Sequence, residues 1–338
     1  DTVDWGSLFV GCAGGGNSFI KLPVQQEIID QASYASFRVT IEGLMGGHSG
    51  LNIHEDRANS IKLLVRVLES LLEDVPSLRL VKLWGGDKHN AIPREAFATV
   101  VLPKGDSSAV EAAKDSISRV SSDLRSEFGT KEVSLSVLFE SLVGGEGTCL
   151  HGDAVRRLLS LLTLLPHGSL KMSHDLEGLV ETSSNLASVV PITGVDNGGD
   201  SGGSEYSVLC STRSSVESAL ESVRRNIRTA AELCGASDVV LKPAYPGWKP
   251  DLNSNVLKVA RDSLRDLLGG REPIITALHA GLECGVIGDK APGMDMVSFG
   301  PTIEGAHSPD EKVAITSVGK FWQLVLATLE GLAMSSRK

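Results

Sequence analysis

His48 lies in the run Gly46-Gly47-His48-Ser49-Gly50, immediately before a segment of helical periodicity. Flanking glycines let a backbone and a small molecule approach closely, and an imidazole placed there can donate a hydrogen bond to developing negative charge. A loop histidine that caps its own turn accounts for the same residues. His307 stands just before Ser308-Pro309-Asp310-Glu311, a capping box with proline at the first helical position. The positive end of that helix would hold the imidazole neutral, the form a metal requires; a plain turn residue is the alternative. Gly199-Asp200-Ser201-Gly202-Gly203 spells the nucleophile turn of trypsin-like serine proteases. Those enzymes are all-β and need an A-A-H-C histidine, a setting that none of the eight histidines has. Ser49 is no nucleophile elbow either, because Leu51 stands where a glycine is required.

The elements that must position these residues mix strands and helices, which makes the class α/β. Phe37, Val39 and Ile41 alternate as a strand, and Ile61, Leu64, Val65, Leu68 and Leu72 predict a helix over 56–73. His48 is thereby placed in a strand, glycine loop, helix unit. Strands over 79–83 and 97–102 flank His89-Asn90-Ala91-Ile92-Pro93-Arg94, and a helix over 107–128 and a strand over 133–139 complete an α+β sandwich. The pattern continues with a helix over 153–165, a strand over 206–212, a helix over 216–234 and a strand over 239–242. Tyr245-Pro246-Gly247-Trp248-Lys249-Pro250 marks a domain crossing. Beyond it come a helix over 253–268, strands over 273–278 and 296–299, and a helix from 309 with Val318, Phe321, Trp322, Val325, Leu329 and Leu332 on one apolar face. The run 194–203 reads as a mobile loop, and no internal repeat emerges.

At 338 residues the chain suggests about two domains, and its 41% hydrophobic content is enough for a core in each. A net charge of −10 disfavours nucleic acid as a partner. No apolar run approaches the roughly 18 residues of a membrane span, so a soluble, cytoplasmic protein with no membrane partner is expected. Cys12, Cys149, Cys210, Cys234 and Cys284 contain no close pair, which excludes a zinc ribbon and a disulfide scaffold. The first residue is Asp1, and a glycine-rich run over 11–16 follows a short apolar strand as though the chain were entered mid-fold. A fragment or processed product is expected.

Five ordered blocks together resemble a known family. They are Gly43-Leu44-Met45-Gly46-Gly47-His48-Ser49-Gly50, Asn90-Ala91-Ile92-Pro93-Arg94-Glu95, Tyr245-Pro246-Gly247-Trp248, His279-Ala280-Gly281-Leu282-Glu283-Cys284-Gly285 and Gly305-Ala306-His307-Ser308-Pro309-Asp310-Glu311. The set resembles the aminoacyl-histidine dipeptidases, a branch of the co-catalytic zinc aminopeptidase, carboxypeptidase and aminoacylase superfamily. The resemblance implies a zinc-peptidase catalytic domain, here only its C-terminal part, interrupted by an α+β lid. It places catalytic segments at 1–33 and 246–338 and a lid for substrate binding and dimerisation at 34–245. It implies two zinc ions per complete site, with manganese or cobalt accepted by the same ligand types. It also implies a dipeptide substrate, Xaa-His favoured, and a homodimer through the lid.

By the same resemblance His307 is a metal ligand and Asp1 a second, with Asp4 as the alternative to Asp1. His48 stabilises the tetrahedral oxyanion, in related dimers often that of a partner subunit. Asn90 helps to hold the substrate, and Arg213 grips the dipeptide carboxylate through its fork of N–H donors. His279 and Glu283 lie near the substrate pocket without a defined role. The family's opening catalytic half, which carries its H-x-D pair, bridging aspartate and Glu-Glu pair, is expected to be missing here, and two ligands do not complete a hydrolytic site. The expectation is the C-terminal two thirds of a metallodipeptidase, inactive by itself. Its rivals are a non-catalytic binding or assembly module on the same fold, and an aminoacylase or carboxypeptidase of the same superfamily.

Overall fold

The computed structural model describes residues 5–192, 204–304 and 310–335. Among them, β1 (Ser7–Cys12), β2 (Gly14–Val24) and β3 (Gln26–Ile28) open the chain, followed by β4 (Tyr34–Glu42), the short β5 (Gly47–His48), α1 (Ser60–Asp74) and β6 (Arg79–Gly85). Then come β7 (Ala91–Ile92), β8 (Ala96–Pro103), α2 (Ser107–Phe128), β9 (Ser136–Ser141), β10 (Thr148–Leu150), α3 (Gly152–Leu164) and β11 (Gly168–Met172). β12 (Val180–Ile192), β13 (Ser204–Ser214), α4 (Glu217–Leu233) and β14 (Asp238–Leu241) complete the larger part. The remainder holds α5 (Asn255–Leu267), β15 (Ile274–Leu278), α6 (Glu283–Lys290), β16 (Ile303–Glu304), β17 (Lys312–Val313) and α7 (Ile315–Ser335).

The large sheet runs β14-β2-β13-β12-β6-β8-β4-β9, with β11 beside β12, and neighbouring strands are antiparallel. Its two halves share one topology. β4-α1-β6-β8-α2-β9 is a βαββαβ unit with spatial order 4-1-3-2, and β2-α3-β12-β13-α4-β14 repeats both connectivity and order. The second strands of the two units, β6 and β12, meet at Val189 and Gly85. Gly86, at φ +70°, turns the chain there, where a Cβ would stand 2.0 Å from the Ala187 carbonyl oxygen. The repeat is one of topology and has no counterpart in the residue pattern.

Helices α1 to α4 cover one face of this sheet and share a core with it, in which Ile20, Val39, Leu64, Leu68, Leu158, Leu186 and Val208 are buried. Asn59 starts α1 by accepting the N–H groups of Ile61 and Lys62. The Lys62 ammonium then donates to the carbonyls of Leu162 (2.6 Å), Thr163 (2.9 Å) and Leu165 (2.5 Å), binding α1 of the first unit to the end of α3 of the second. Burial holds the Lys62 pKa down at about 8.

Several expected boundaries shift. Residues 14–24, expected in the first catalytic segment, form β2, which pairs with β13 along its whole length and is therefore part of the lid sheet. Beyond the crossing, β1 and β15 make a parallel pair packed on α5 and α7 around Leu8, Val10, Leu257, Ala260, Leu264 and Leu324. The strand expected over 296–299 reduces to one bridge between Phe9 and Ser298. The last helix starts at Ile315, because Lys312 and Val313 pair with Glu304 and Ile303 in a hairpin. Its buried line passes through Ser317, Leu324 and Thr328, while Val318, Trp322 and Leu329 of the expected apolar face are exposed. No helix among the described residues is long and apolar enough to cross a membrane.

Candidate functional site

Side chains alternate along a strand, so burying Leu186, Val208 and Cys210 under the helices turns Ser183, Asn185, Ser211 and Arg213 to the other face of β12 and β13. All four are buried, and Ser183 is the cross-strand partner of Arg213. A buried polar strand face is costly unless loops complete its hydrogen bonds. Three loops do so. Asn185 Nδ2 donates to the Ala91 carbonyl (2.8 Å), Ser183 Oγ lies 2.7 Å from His279 Nε2, and Arg213 Nη1 donates to the Tyr245 hydroxyl (2.8 Å).

The loop carrying His48 is pinned from both ends. One buried carboxylate, Glu132, accepts the N–H groups of Met45 (2.7 Å) and Ala58 (3.0 Å). Between them, His48 pairs with Ala91 in a two-residue ladder, and Ser49 N–H donates to the Asn90 carbonyl (2.8 Å), so the His48 and Asn90 loops form one unit. His48 Nδ1 accepts from the N–H groups of Gly50 and Leu51, each at 3.1 Å. The ring thus caps its own turn, and with Nδ1 occupied as acceptor the neutral imidazole carries its proton on Nε2 as a free donor. The capping role is observed, and it leaves Nε2 available to donate. Burial, then the positive charge of Arg213 and of His89, lowers the His48 pKa.

Glu132→Gln tests the pinning. A carboxamide has one acceptor oxygen for two buried N–H groups, so the expected cost is about 1–3 kcal/mol in denaturant unfolding, with faster amide exchange over 45–58. Unchanged exchange there would show that the loop is held elsewhere.

His279 follows the carboxyl end of β15 and is buried, its ring also bonded to the Val180 backbone. Burial, then Arg213, pushes its pKa down to about 3. His167, beside Asn59 and Lys62, is pushed down to about 4, again chiefly by burial. The unfolded chain binds protons at both positions below about 6.5 while the folded chain does not. Stability is therefore complete above pH 6.5 and is lost as pH falls towards 4, by up to about 1.4 kcal/mol per pH unit for each histidine. His279→Gln and His167→Gln should each flatten the dependence of the urea midpoint on pH; an unchanged slope would contradict the burial of that ring.

His48, Arg213 and His279 come together within one chain, with the Asn90 loop beside them. A Cβ on Gly50 would stand 2.3 Å from the His279 carbonyl oxygen, so only glycine permits the contact between these two loops. Tyr245 joins the group, its ring against Gly15 and Gly281. Glu283, in the first turn of α6, is exposed, and its charge helps to raise the pKa values of the Cys12 and Cys284 thiols, which burial raises first. Asp1 and His307, and the run 194–203, lie outside the described residues. Among the described residues no three His, Cys, Asp or Glu side chains gather as a metal site. Ser183, Asn185 and Glu132 escape the sequence reading, and Tyr245 enters it only as part of the crossing and of a family block; for the two strand residues the signal is the polar run Glu181 to Asn185 inside an otherwise apolar segment.

Residues 33–127 match the family model described as peptidase dimerisation domain, a span that takes in the first βαββαβ unit from β4 through nearly all of α2 and stops short of β9. The cytosol non-specific dipeptidase of Escherichia coli (strain K12) is 38% identical over 330 residues, covering 98% of this chain and 64% of that protein. The crystal structure of the aminoacylhistidine dipeptidase from Vibrio alginolyticus is 36% identical and superposes with a TM-score of 0.85, again over 98% of this chain and 64% of the other. The chain thus spans 64% of the length of both relatives. Over 98% of its own length the chain is similar in sequence to these two dipeptidases, and it shares the α/β fold of the second, with a peptidase dimerisation domain matched within it.

Proposed function

We propose that this chain forms the substrate-gripping part of a metal-dependent dipeptidase, Xaa-His dipeptides favoured. The observation that carries this is the convergence of His48 and Arg213 on a buried polar strand face lined by Ser183 and Asn185. Arg213 supplies a fixed cationic fork for the free carboxylate, and His48 Nε2–H donates to the scissile carbonyl oxygen as it gains charge. Asn90 and His279 border the substrate, and Glu283 lies at the rim. The names of the two relatives support the substrate class.

The described residues alone do not make a metal centre. Asp1 and His307 are assigned as ligands through the family resemblance, and the metal, zinc or else manganese or cobalt, would polarise the carbonyl and activate water. The lid bounds of 34–245 are retained in this reading except for β2, a homodimer forms through residues 33–127, and the protein works in the cytoplasm. Turnover of a dipeptide panel by the metal-loaded protein, abolished by chelation and restored by zinc, is the expected result. Turnover unaffected by complete chelation, or dipeptide binding without any turnover, would favour a binding module.

A further inference from the structure

His279 touches more of the site than any role in binding the substrate requires. It follows Leu278, whose register partner is Cys12, so it stands at the carboxyl end of the parallel pair β1 and β15, where open α/β sheets place their ligands. From there it reaches three separate pieces. Its Nε2 meets Ser183 Oγ on β12 at 2.7 Å. Its carbonyl oxygen packs against Gly50 in the His48 loop. Its neighbours Leu278 and Ala280 both accept from Ala13 N–H, at 3.0 and 3.2 Å, which fixes the loop to the start of β2.

The same loop braces the arginine. Tyr245, which receives the Arg213 guanidinium, has its ring against Gly281, where a Cβ would stand 3.1 Å from Cε2, and against Gly15, where a Cβ would stand 2.5 Å from the hydroxyl. Ser183, which receives the imidazole, faces Arg213 across the strand pair. We propose that His279 is a positioning residue that latches the 279–282 loop to β12 through Ser183 and so fixes the spacing between the Arg213 fork and the His48 donor. This rests on the dipeptidase reading for its kinetic consequence but not for the latch itself.

The chemistry of the latch is specific. In the latch the neutral ring accepts the Ser183 O–H at Nε2, 2.7 Å away, and so carries its proton on Nδ1. A neutral ring is needed beside Arg213, since a protonated one would repel the guanidinium it helps to place. The pair resembles a serine–histidine dyad but cannot act as one: the hydroxyl is buried, and so weakly basic an imidazole would leave it unactivated at neutral pH.

Histidine-selective 15N NMR on the substrate-free chain reads the latch directly. The expected signal for His279 is the Nδ1–H tautomer, with the Nε2 resonance shifted on Ser183→Ala as its hydrogen bond is lost; an Nε2–H tautomer, or a spectrum indifferent to Ser183→Ala, would overturn the proposal whether or not the protein hydrolyses anything. In the metal-loaded enzyme, His279→Leu and Ser183→Ala should each lower kcat/KM for a free dipeptide by about 10- to 100-fold, with the double variant no worse than the poorer single one. His279→Gln, which offers a neutral acceptor to Ser183, should recover to within about threefold of the parent. Additive losses, or a glutamine no better than leucine, would mean that His279 is merely core. A wild-type protein that shows the tautomer but cleaves no dipeptide would leave the latch standing and remove the dipeptidase reading.

Discussion

Replacing His48 with alanine lowers kcat by about 10²–10³, leaving KM and metal content nearly unchanged, if Nε2–H donates mainly to the transition state. The geometry makes the expectation sharp because Nδ1 is committed to the N–H groups of Gly50 and Leu51. Losing the ring also frees those two N–H groups, so a fall in stability of about 1–2 kcal/mol accompanies the loss of rate. Steady-state kinetics per folded molecule separates the two effects. Equal turnover per folded molecule would reduce His48 to its capping role. The placement of His48 beside its own chain's Arg213 also sets the outcome of mixing: hybrid dimers of His48→Ala and Arg213→Met chains should regain no activity, since every site lacks one group. Recovery would mean that His48 serves a partner's site.

Arg213→Lys has the second large effect. The guanidinium is buried, fixed by Tyr245, and faces Ser183 across the strands, so a carboxylate meets a preset fork. Lysine supplies charge without the fork, and KM for free dipeptides should rise about 10- to 100-fold, with a much smaller change for dipeptides amidated at the C-terminus. Equal losses on both substrates would make Arg213 a structural cation that holds Tyr245 rather than a carboxylate.

The parts of this site that were legible in the sequence are those whose residue types are conspicuous locally. Glycines around His48 announce a close approach, and Gly50 does lie against the His279 backbone. The helix over 107–128 shows its full period and is found at Ser107–Phe128. By contrast β12 hides, because Thr182 and Ser184 on one face and Ser183 and Asn185 on the other erase the alternation that identifies a strand. The polarity that conceals it is also what equips it to line a site. Glu132 lies far along the chain from the two N–H groups it holds, and no spacing rule connects them. The two βαββαβ units share an order of strands and not a pattern of residues, so their kinship emerges only from the sheet. The resemblance assigns 1–33 to a catalytic segment, and nothing local in Gly14, Gly15 and Gly16 announces their pairing with Ser214, Arg213 and Thr212 in the large sheet.

The central claim is that a buried polar face, with Arg213 at one end and His48 at the other, holds a dipeptide by its free carboxylate. The most direct test is the ratio of kcat/KM for one dipeptide with its C-terminus free and amidated, measured with the metal-loaded protein. A preference of at least about 100-fold for the free carboxylate, collapsing to within about tenfold in Arg213→Lys, is the predicted result. Equal cleavage of the free and amidated forms by the unaltered protein would contradict it.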